Sequence, residues 1–319
     1  MSSHILVLGA AGRLGKTAAK AFHAAGWKVT SLVRAGAAAH APAGTHIAEI
    51  DARDHVEVTA AARGADVVLH ALNPAYTQWS RQALPLAYSA ITAAEAAGAT
   101  LLFPGNLYNY GSPLPPVIDE RTPMLPSSRK GTLRLAIEER LQEAAGRGLR
   151  TIILRGGDYF GEGRGSWLDL VITKDIDRGV LVYPGPLDLT HTWAYLPDLV
   201  AALVRLAEIR HQLGVFETFG FPGHAITGRE LTTAIARAAG RKLQVKRMTW
   251  WLVHALRPIV PLCRELSEIA YLWNEAHRID GAKLASAIGA APCTPLDAAV
   301  RRALEQLGTT ADAVQADYT

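Results

Sequence analysis

Two stretches of this sequence carry side chains suited to moving a proton. One is FPGNLYNYG, residues 103–111, with Asn106, Tyr108 and Tyr110. The other is PSSRKGTLRLAIEERL, residues 126–141, with Arg129, Lys130 and Arg134. A phenol beside a cation is an acid–base pair, because the positive charge favours the ionised phenol. Either Tyr108 or Tyr110 suits that role. Lys130 is another proton donor if desolvation lowers its pKa. Arg134 stays charged, so binding or structural roles remain for it. Asn106 can hydrogen-bond a substrate carbonyl. A chain in which none of these groups transfers a proton is a third reading of the same residues.

Acid–base groups need a reactant held beside them, and the N-terminal sequence offers a place for one. HILVLGA (4–10) is a short apolar run of the kind expected for a buried parallel strand. GAAGRLG follows, with Gly9, Gly12 and Gly15, and then the helical run KTAAKAFHAAG. Without a Cβ the chain can turn tightly and approach a pyrophosphate, and the helix start offers it free N–H groups. Arg13 and Leu14 lie between the second and third glycines. This strand–glycine–helix context points to a dinucleotide.

The second strand, KVTSLVR (28–34), ends without the carboxylate that would accept hydrogen bonds from the ribose hydroxyls of NAD(H). Arg34 stands there instead, and its planar fork suits a 2′-phosphate. Arg13 could assist. NADP(H) is therefore favoured, with NAD(H) as the alternative. Asp51 and Ala52 fall where an adenine-edge contact is expected. HALN (70–73) ends the fourth strand, so Ala71, Leu72 and Asn73 should line the ribose. His70 itself reads as a core residue.

Further strands are expected at THIAEIDARD (45–54), DVVLHAL (66–72) and TLLFPG (100–105), the last carrying Pro104 near its end. Long helices are expected at 79–97 and 127–145, and RTIILRGGDYFG (150–161) reads as a sixth strand. The strand–helix rhythm predicts a right-handed doubly wound sheet. Gly157, Asp158 and Tyr159 then sit at the nicotinamide end of the cofactor. Arg129, Asp158, His191 and Trp193 are candidate substrate-pocket groups.

The 319 residues suffice for one large core with a smaller lobe. With 49% hydrophobic and 19% charged residues, the composition is that of a folded chain. The net charge of +4 is mild and dispersed, so nucleic acid is not an expected partner. The densest basic run, GRKLQVKR (240–247), reads as a solvated surface. Cys263 and Cys293 are the only cysteines and have no CxxC spacing. No HExxH or clustered carboxylates suggest a metal. The opening MSSHILVLGAAG shows no basic leader before an apolar segment, so the cytoplasm is the expected compartment. WWLVHALRPIVPLC (250–263) is too broken to span a bilayer and reads as a core or lobe helix, with no membrane partner expected.

In the second half, a strand near 180 and a Pro/Gly turn lead to a helix capped by Asp198 or introduced by Pro197. Thr227 and Glu230 have capping-box spacing. The aromatic-rich residues 248–278 are expected to form a small lobe over the cleft. Residues 1–180 thus read as mainly a dinucleotide-binding core. Residues 181–308 read as late core elements plus a substrate lobe, and 309–319 as a flexible tail.

The order of GAAGRLG, DARD, DVVLHAL, ILRGGDYFGEG and HTWAYLPDLVAAL resembles the extended short-chain dehydrogenase/reductases, the NAD-dependent epimerase/dehydratase superfamily. The resemblance covers nearly the whole chain and implies a Rossmann-type α/β fold with a small C-terminal substrate lobe. It also implies chemistry by Ser, Tyr and Lys beside a nicotinamide. This sequence departs from that pattern. Aligning the family's downstream Glu with Glu138 puts Lys130 in the Tyr place and Arg134 in the Lys place. Keeping Lys130 as the family's Lys puts Pro126 in the Tyr place and loses the Glu. Asn106 falls in the Ser place. The resemblance further implies that 79–97 and 127–145 can form a homodimer interface. Three functions remain open. One is an NADP(H)-dependent oxidoreductase acting on a small carbonyl or alcohol. The second is a nucleotide-sugar epimerase or dehydratase. The third is a non-catalytic NAD(P)-binding regulatory protein.

Overall fold

All five residues of the first strand, β1 (His4–Leu8), are buried, as a parallel strand covered on both faces requires. The computed structural model describes residues 2–309, so all but the first residue of the expected tail 309–319 lies outside the described residues. After β1 come α1 (Arg13–Ala24), β2 (Lys28–Val33), β3 (His46–Glu49), α2 (His55–Ala61) and β4 (Val67–His70). Helix α3 (Trp79–Ala97), β5 (Thr100–Gly105), β6 (Val117–Ile118), α4 (Arg129–Gly146) and β7 (Thr151–Arg155) complete the first half. The second half begins with β8 (Asp158–Phe160), β9 (Val180–Tyr183), β10 (Thr190–Tyr195), α5 (Leu196–Glu208) and β11 (Phe216–Gly220). It continues through β12 (His224–Thr227), α6 (Gly228–Ala238), β13 (Gln244–Arg247), α7 (Trp250–Leu256) and α8 (Pro261–Ser267). The short strand β14 (Arg278–Ile279), α9 (Ala282–Ile288) and α10 (Leu296–Leu307) follow.

The main sheet is parallel, in the order β11-β7-β5-β4-β1-β2-β3. The order reverses between β1 and β4, which opens a crevice at the carboxyl ends of these strands. Helix α1 buries Gly15, Ala18, Ala19 and Phe22, a one-sided stripe at helical spacing. With α5 it covers one face of the sheet, while α2, α3 and α4 cover the other. Strand β11 shows that the main sheet draws on the second half of the chain.

The run 150–161 is not one strand. It breaks at Gly156–Gly157, and β8 leaves the main sheet to pair with β10, which also pairs with β12. A Cβ on Gly157 would lie 2.0 Å from the Thr192 carbonyl oxygen, so the close approach of these segments demands glycine. Pro197 sits in the first turn of α5, and Tyr195 is its N-cap. Asp198 instead accepts hydrogen bonds from the Thr294 backbone and hydroxyl, tying α5 to the segment before α10. The Thr227–Glu230 capping box forms at the start of α6. In the lobe Trp273 is buried, but Trp251 is exposed and α7 contains no buried residue. Trp250 packs against the lobe core and its indole donates to the Pro184 carbonyl oxygen at 2.6 Å, so α7 turns one tryptophan inward and leaves the other outside.

Candidate active site

The turn from β1 into α1 is built for close approach. Gly9 has φ +85°, and a Cβ on Gly15 would lie 2.2 Å from the Gly9 carbonyl oxygen. No side chain caps α1, and no acidic residue stands in its first turn. The helix start therefore keeps free N–H groups and a positive dipole end, the features that a phosphate site requires. Leu14 packs against the core beneath. Arg13 turns the other way. It donates to the carbonyl oxygens of Gly161 (2.8 Å), Tyr159 (3.3 Å) and Gly165 (3.3 Å), clasping the loop after β8. Burial pulls its pKa down, and the charges of Asp169 and Glu162 oppose that shift.

Arg34 is exposed just past β2, and its side chain has no ion-pair or hydrogen-bond partner among the described residues. Asp51 is engaged by Arg53, whose hydrogen bonds hold its pKa down at about 2. Ala52 and Leu72 pack at the edge of one core cluster and Ala71 at the edge of the other. Asn73 accepts from the Trp79 indole at 3.2 Å. Pro104 is buried within β5.

Beyond β4 and β5 the chain assembles a polar group at the mouth of the crevice. The hydroxyls of Tyr108 and Tyr76 lie 2.8 Å apart. Burial pushes the Tyr76 phenol up to about 12 and raises Tyr108 well above the usual tyrosine range. The nearby Arg134 charge works against both shifts. Both residues are therefore neutral phenols at physiological pH. Tyr76 escaped the sequence reading, which followed the β4 loop only to Asn73. The Tyr–Thr–Gln–Trp segment three residues later was the available signal.

Tyr110 does not join this pair. It lines a separate small cavity with Asp119, Met124, Arg155 and Phe219, and Arg155 lies over its ring. Asn106 is committed locally, its side-chain oxygen accepting from the Tyr108 backbone N–H at 3.1 Å.

Three residues of α4 at four-residue spacing reach the same region. Glu138 holds Arg155 of β7 in a buried bidentate pair at 2.9 and 2.8 Å. Burial disfavours the Arg155 charge, but Glu138 overrides it and raises the pKa. One turn earlier, the Arg134 guanidinium lies 5.2 Å from the ring centroids of both Trp79 and Phe103. Its buried Nε has no hydrogen-bond partner. Burial lowers its pKa, though an arginine remains cationic.

One further turn back, Lys130 is only 3% exposed, and its Nζ lies 5.4 Å from the Tyr76 ring centroid. It is ion-paired with Glu265 of α8, and it also donates to the Glu265 carbonyl oxygen at 3.3 Å. Arg129 pairs with Glu268 and Glu265. Burial works against the Glu265 charge, but Lys130 and Arg129 keep its pKa below the ordinary carboxylate value. Lys130 is thus held by the lobe.

The loop after β7 supplies the far wall. Tyr159 donates to the Gly105 carbonyl oxygen at 2.5 Å, and burial raises its phenol to about 12. Gly157 forms the tight crossing next to it. Asp158 meets His191 Nε2 at 2.8 Å, while His191 Nδ1 lies 3.2 Å from the Leu272 carbonyl oxygen. His191 stacks on Trp273 at 4.2 Å and lies 5.3 Å from the Trp193 ring.

Residues from β1, β4, β5, α4 and β8 therefore converge at the switch point of a parallel sheet. The sequence profile of the NAD dependent epimerase/dehydratase family matches residues 5–218. The chain belongs to this family. The matched span runs from β1 into β11, so it takes in the glycine turn, α4 and the β8 loop.

Solved structures similar to this epimerase/dehydratase family member extend over almost its whole length. UDP-glucose 4-epimerase from Brucella ovis, in complex with NAD, is 20% identical with a TM-score of 0.77, covering 96% of this chain and 99% of that one. UDP-glucuronic acid 4-epimerase from Bacillus cereus, also in complex with NAD, is 14% identical with a TM-score of 0.75, covering 99% and 100%. The enzyme WbmH from Bordetella bronchiseptica, in complex with NAD+, is 16% identical with a TM-score of 0.76, covering 96% and 98%. At these identities the likeness establishes the fold. No curated protein matches the chain. Among the described residues no helix is long and apolar enough to cross a membrane.

Proposed function

We propose that this family member is a nicotinamide-dependent oxidoreductase that reduces a small carbonyl, or oxidises the corresponding alcohol, with a displaced proton-transfer pair. The carrying observation is the 2.8 Å contact between the Tyr76 and Tyr108 hydroxyls beside the unpartnered Arg134 Nε.

The residues present fit a dinucleotide. The uncapped start of α1 and the glycine turn at Gly9, Gly12 and Gly15 would hold its pyrophosphate. Arg134, with a donor to spare, would hold the nicotinamide ribose. Arg34 would face a 2′-phosphate, which supports NADP(H) over NAD(H). A bound nicotinamide supplies or takes the hydride.

The chain's own contribution is the proton. With its pKa raised by burial, the tyrosine pair serves as an acid, giving a proton to the carbonyl oxygen as negative charge develops there. Arg134 places a positive charge near the same oxygen. Lys130 orients the lobe through Glu265. Leu84 and Tyr88 on the outer face of α3 are exposed, which suits a homodimer seam.

Incubating the purified chain with NADPH or NADH and a panel of carbonyls tests the reading. Oxidation of NADPH by at least one carbonyl is expected. Tight binding of the nucleotide with no turnover across the panel would sink it.

A second reading rests on the end-to-end likeness to nucleotide-sugar 4-epimerases. Epimer formation from a UDP-sugar, without net oxidation of added nucleotide, would favour it.

A further inference from the structure

The α7–α8 hairpin presents apolar side chains to solvent on its outer side. Trp251 is 72% exposed, Ile259 80% and Leu262 52%, and Leu252, Leu256 and Val260 are exposed beside them. So large a cluster of exposed apolar side chains marks an interaction surface. Its unpaired charges are basic, since Glu265 and Glu268 are paired with Lys130 and Arg129. Residues 231–264 contain seven Lys and Arg and no Asp or Glu. Arg237 and Arg264 pair with Asp297 and Glu265, and Arg241 donates to the carbonyls of Ile176 and Asp177. Lys242, Lys246, Arg247 and Arg257 are exposed and make no ion pair among the described residues.

We propose that this hairpin docks the protein onto an anionic membrane surface. Exposed apolar side chains, Trp251 among them, and flanking unpaired cations match the two layers of such a surface. The apolar tip would enter the acyl boundary while Lys246, Arg247 and Arg257 meet the headgroups. The helices have seven residues each, so they lie on a bilayer rather than span it. The inner side of α8 is occupied by Glu265 and Glu268, paired with Lys130 and Arg129, which leaves the outer side free for the lipid. Docking therefore places the candidate site next to the membrane.

Flotation of the full chain with vesicles tests the proposal. The chain should float with phosphatidylcholine vesicles containing about one-third phosphatidylglycerol, not with phosphatidylcholine alone, and raised salt should weaken the binding. Ile259→Glu, Trp251→Ala and the double variant Lys246→Glu/Arg247→Glu should each lower partitioning on the order of tenfold. All three sites are exposed, so melting temperature and nucleotide binding should match the parent chain. Failure to bind anionic vesicles overturns the proposal, as does binding that these variants leave unchanged. A concentration-dependent dimer that Ile259→Glu dissociates, without vesicle binding, assigns the hairpin to self-association and also overturns it. Capture of an acidic protein without vesicle binding does the same.

Discussion

Tyr76 and Tyr108 belong to different crossover loops, one after β4 and one after β5, yet their hydroxyls meet at 2.8 Å. Parallel strands neighbouring in the sheet bring the two loops side by side, 32 residues apart in sequence. Replacing either residue by Phe should lower kcat for carbonyl reduction by about 10²–10⁴-fold while leaving nucleotide affinity unchanged. Steady-state kinetics with titration of nucleotide binding would check it. A loss of affinity with kcat preserved would count against a proton-transfer role.

The same pair sets a pH signature. Its phenols are raised, Tyr76 to about 12, so the acid form persists through neutral pH and up to about 10. Carbonyl reduction should show no fall attributable to this donor between pH 7 and about 10. Alcohol oxidation needs the ionised phenol and should keep rising over that range. A pH–rate profile in both directions distinguishes the two.

Arg134→Met should weaken nucleotide binding by roughly 10- to 100-fold, the worth of a charge-assisted hydrogen bond. Arg34→Ala should weaken NADPH selectively and leave NADH nearly unaffected. Titrating both nucleotides against both variants separates ribose from 2′-phosphate contacts.

The Arg155–Glu138 pair is almost fully buried. Glu138→Ala leaves a desolvated guanidinium without its partner and should destabilise the fold by about 3–5 kcal/mol. Urea unfolding at neutral pH measures it.

Two buried histidines predict acid sensitivity. Burial lowers His70 to about 3, and burial together with the His191 charge lowers His277 to about 3. Both start from an ordinary value of 6.5, so below that pH the unfolded chain binds protons that the folded chain refuses. Their stabilising contribution is complete above about 6.5 and declines as pH falls toward 3. His70→Leu should make that decline shallower in unfolding measured across this range.

Much of this architecture was readable from the sequence because its causes are local. Short apolar runs, ILVL in β1 and IIL in β7, mark these strands, glycine spacing marks the β1–α1 turn, and Thr227 with Glu230 marks the start of α6. The site was readable in part. Tyr108 and Tyr110 are equivalent in a linear reading, but residues two apart in a 3₁₀ turn point roughly 120° apart, so they serve different pockets. Glu265 lies 135 residues from Lys130, and no local pattern announces their pairing. The run 250–263, expected as a core or lobe helix, forms two short helices, and composition alone does not say which side of an apolar helix finds a partner.

Glu138, gripped by Arg155, also stops α4 from turning about its own axis. A slip of one residue would swing the helix by about 100° and pull a buried charge from its partner. Positions 130 and 134 therefore act as sockets with a fixed aim. Whatever residues occupy them are presented to the same spot. Reaction chemistry could drift at these two positions through single substitutions, with no change in the scaffold that aims them. Lys130→Tyr combined with Arg134→Lys would test the register that aligns Glu138 with the family's downstream Glu.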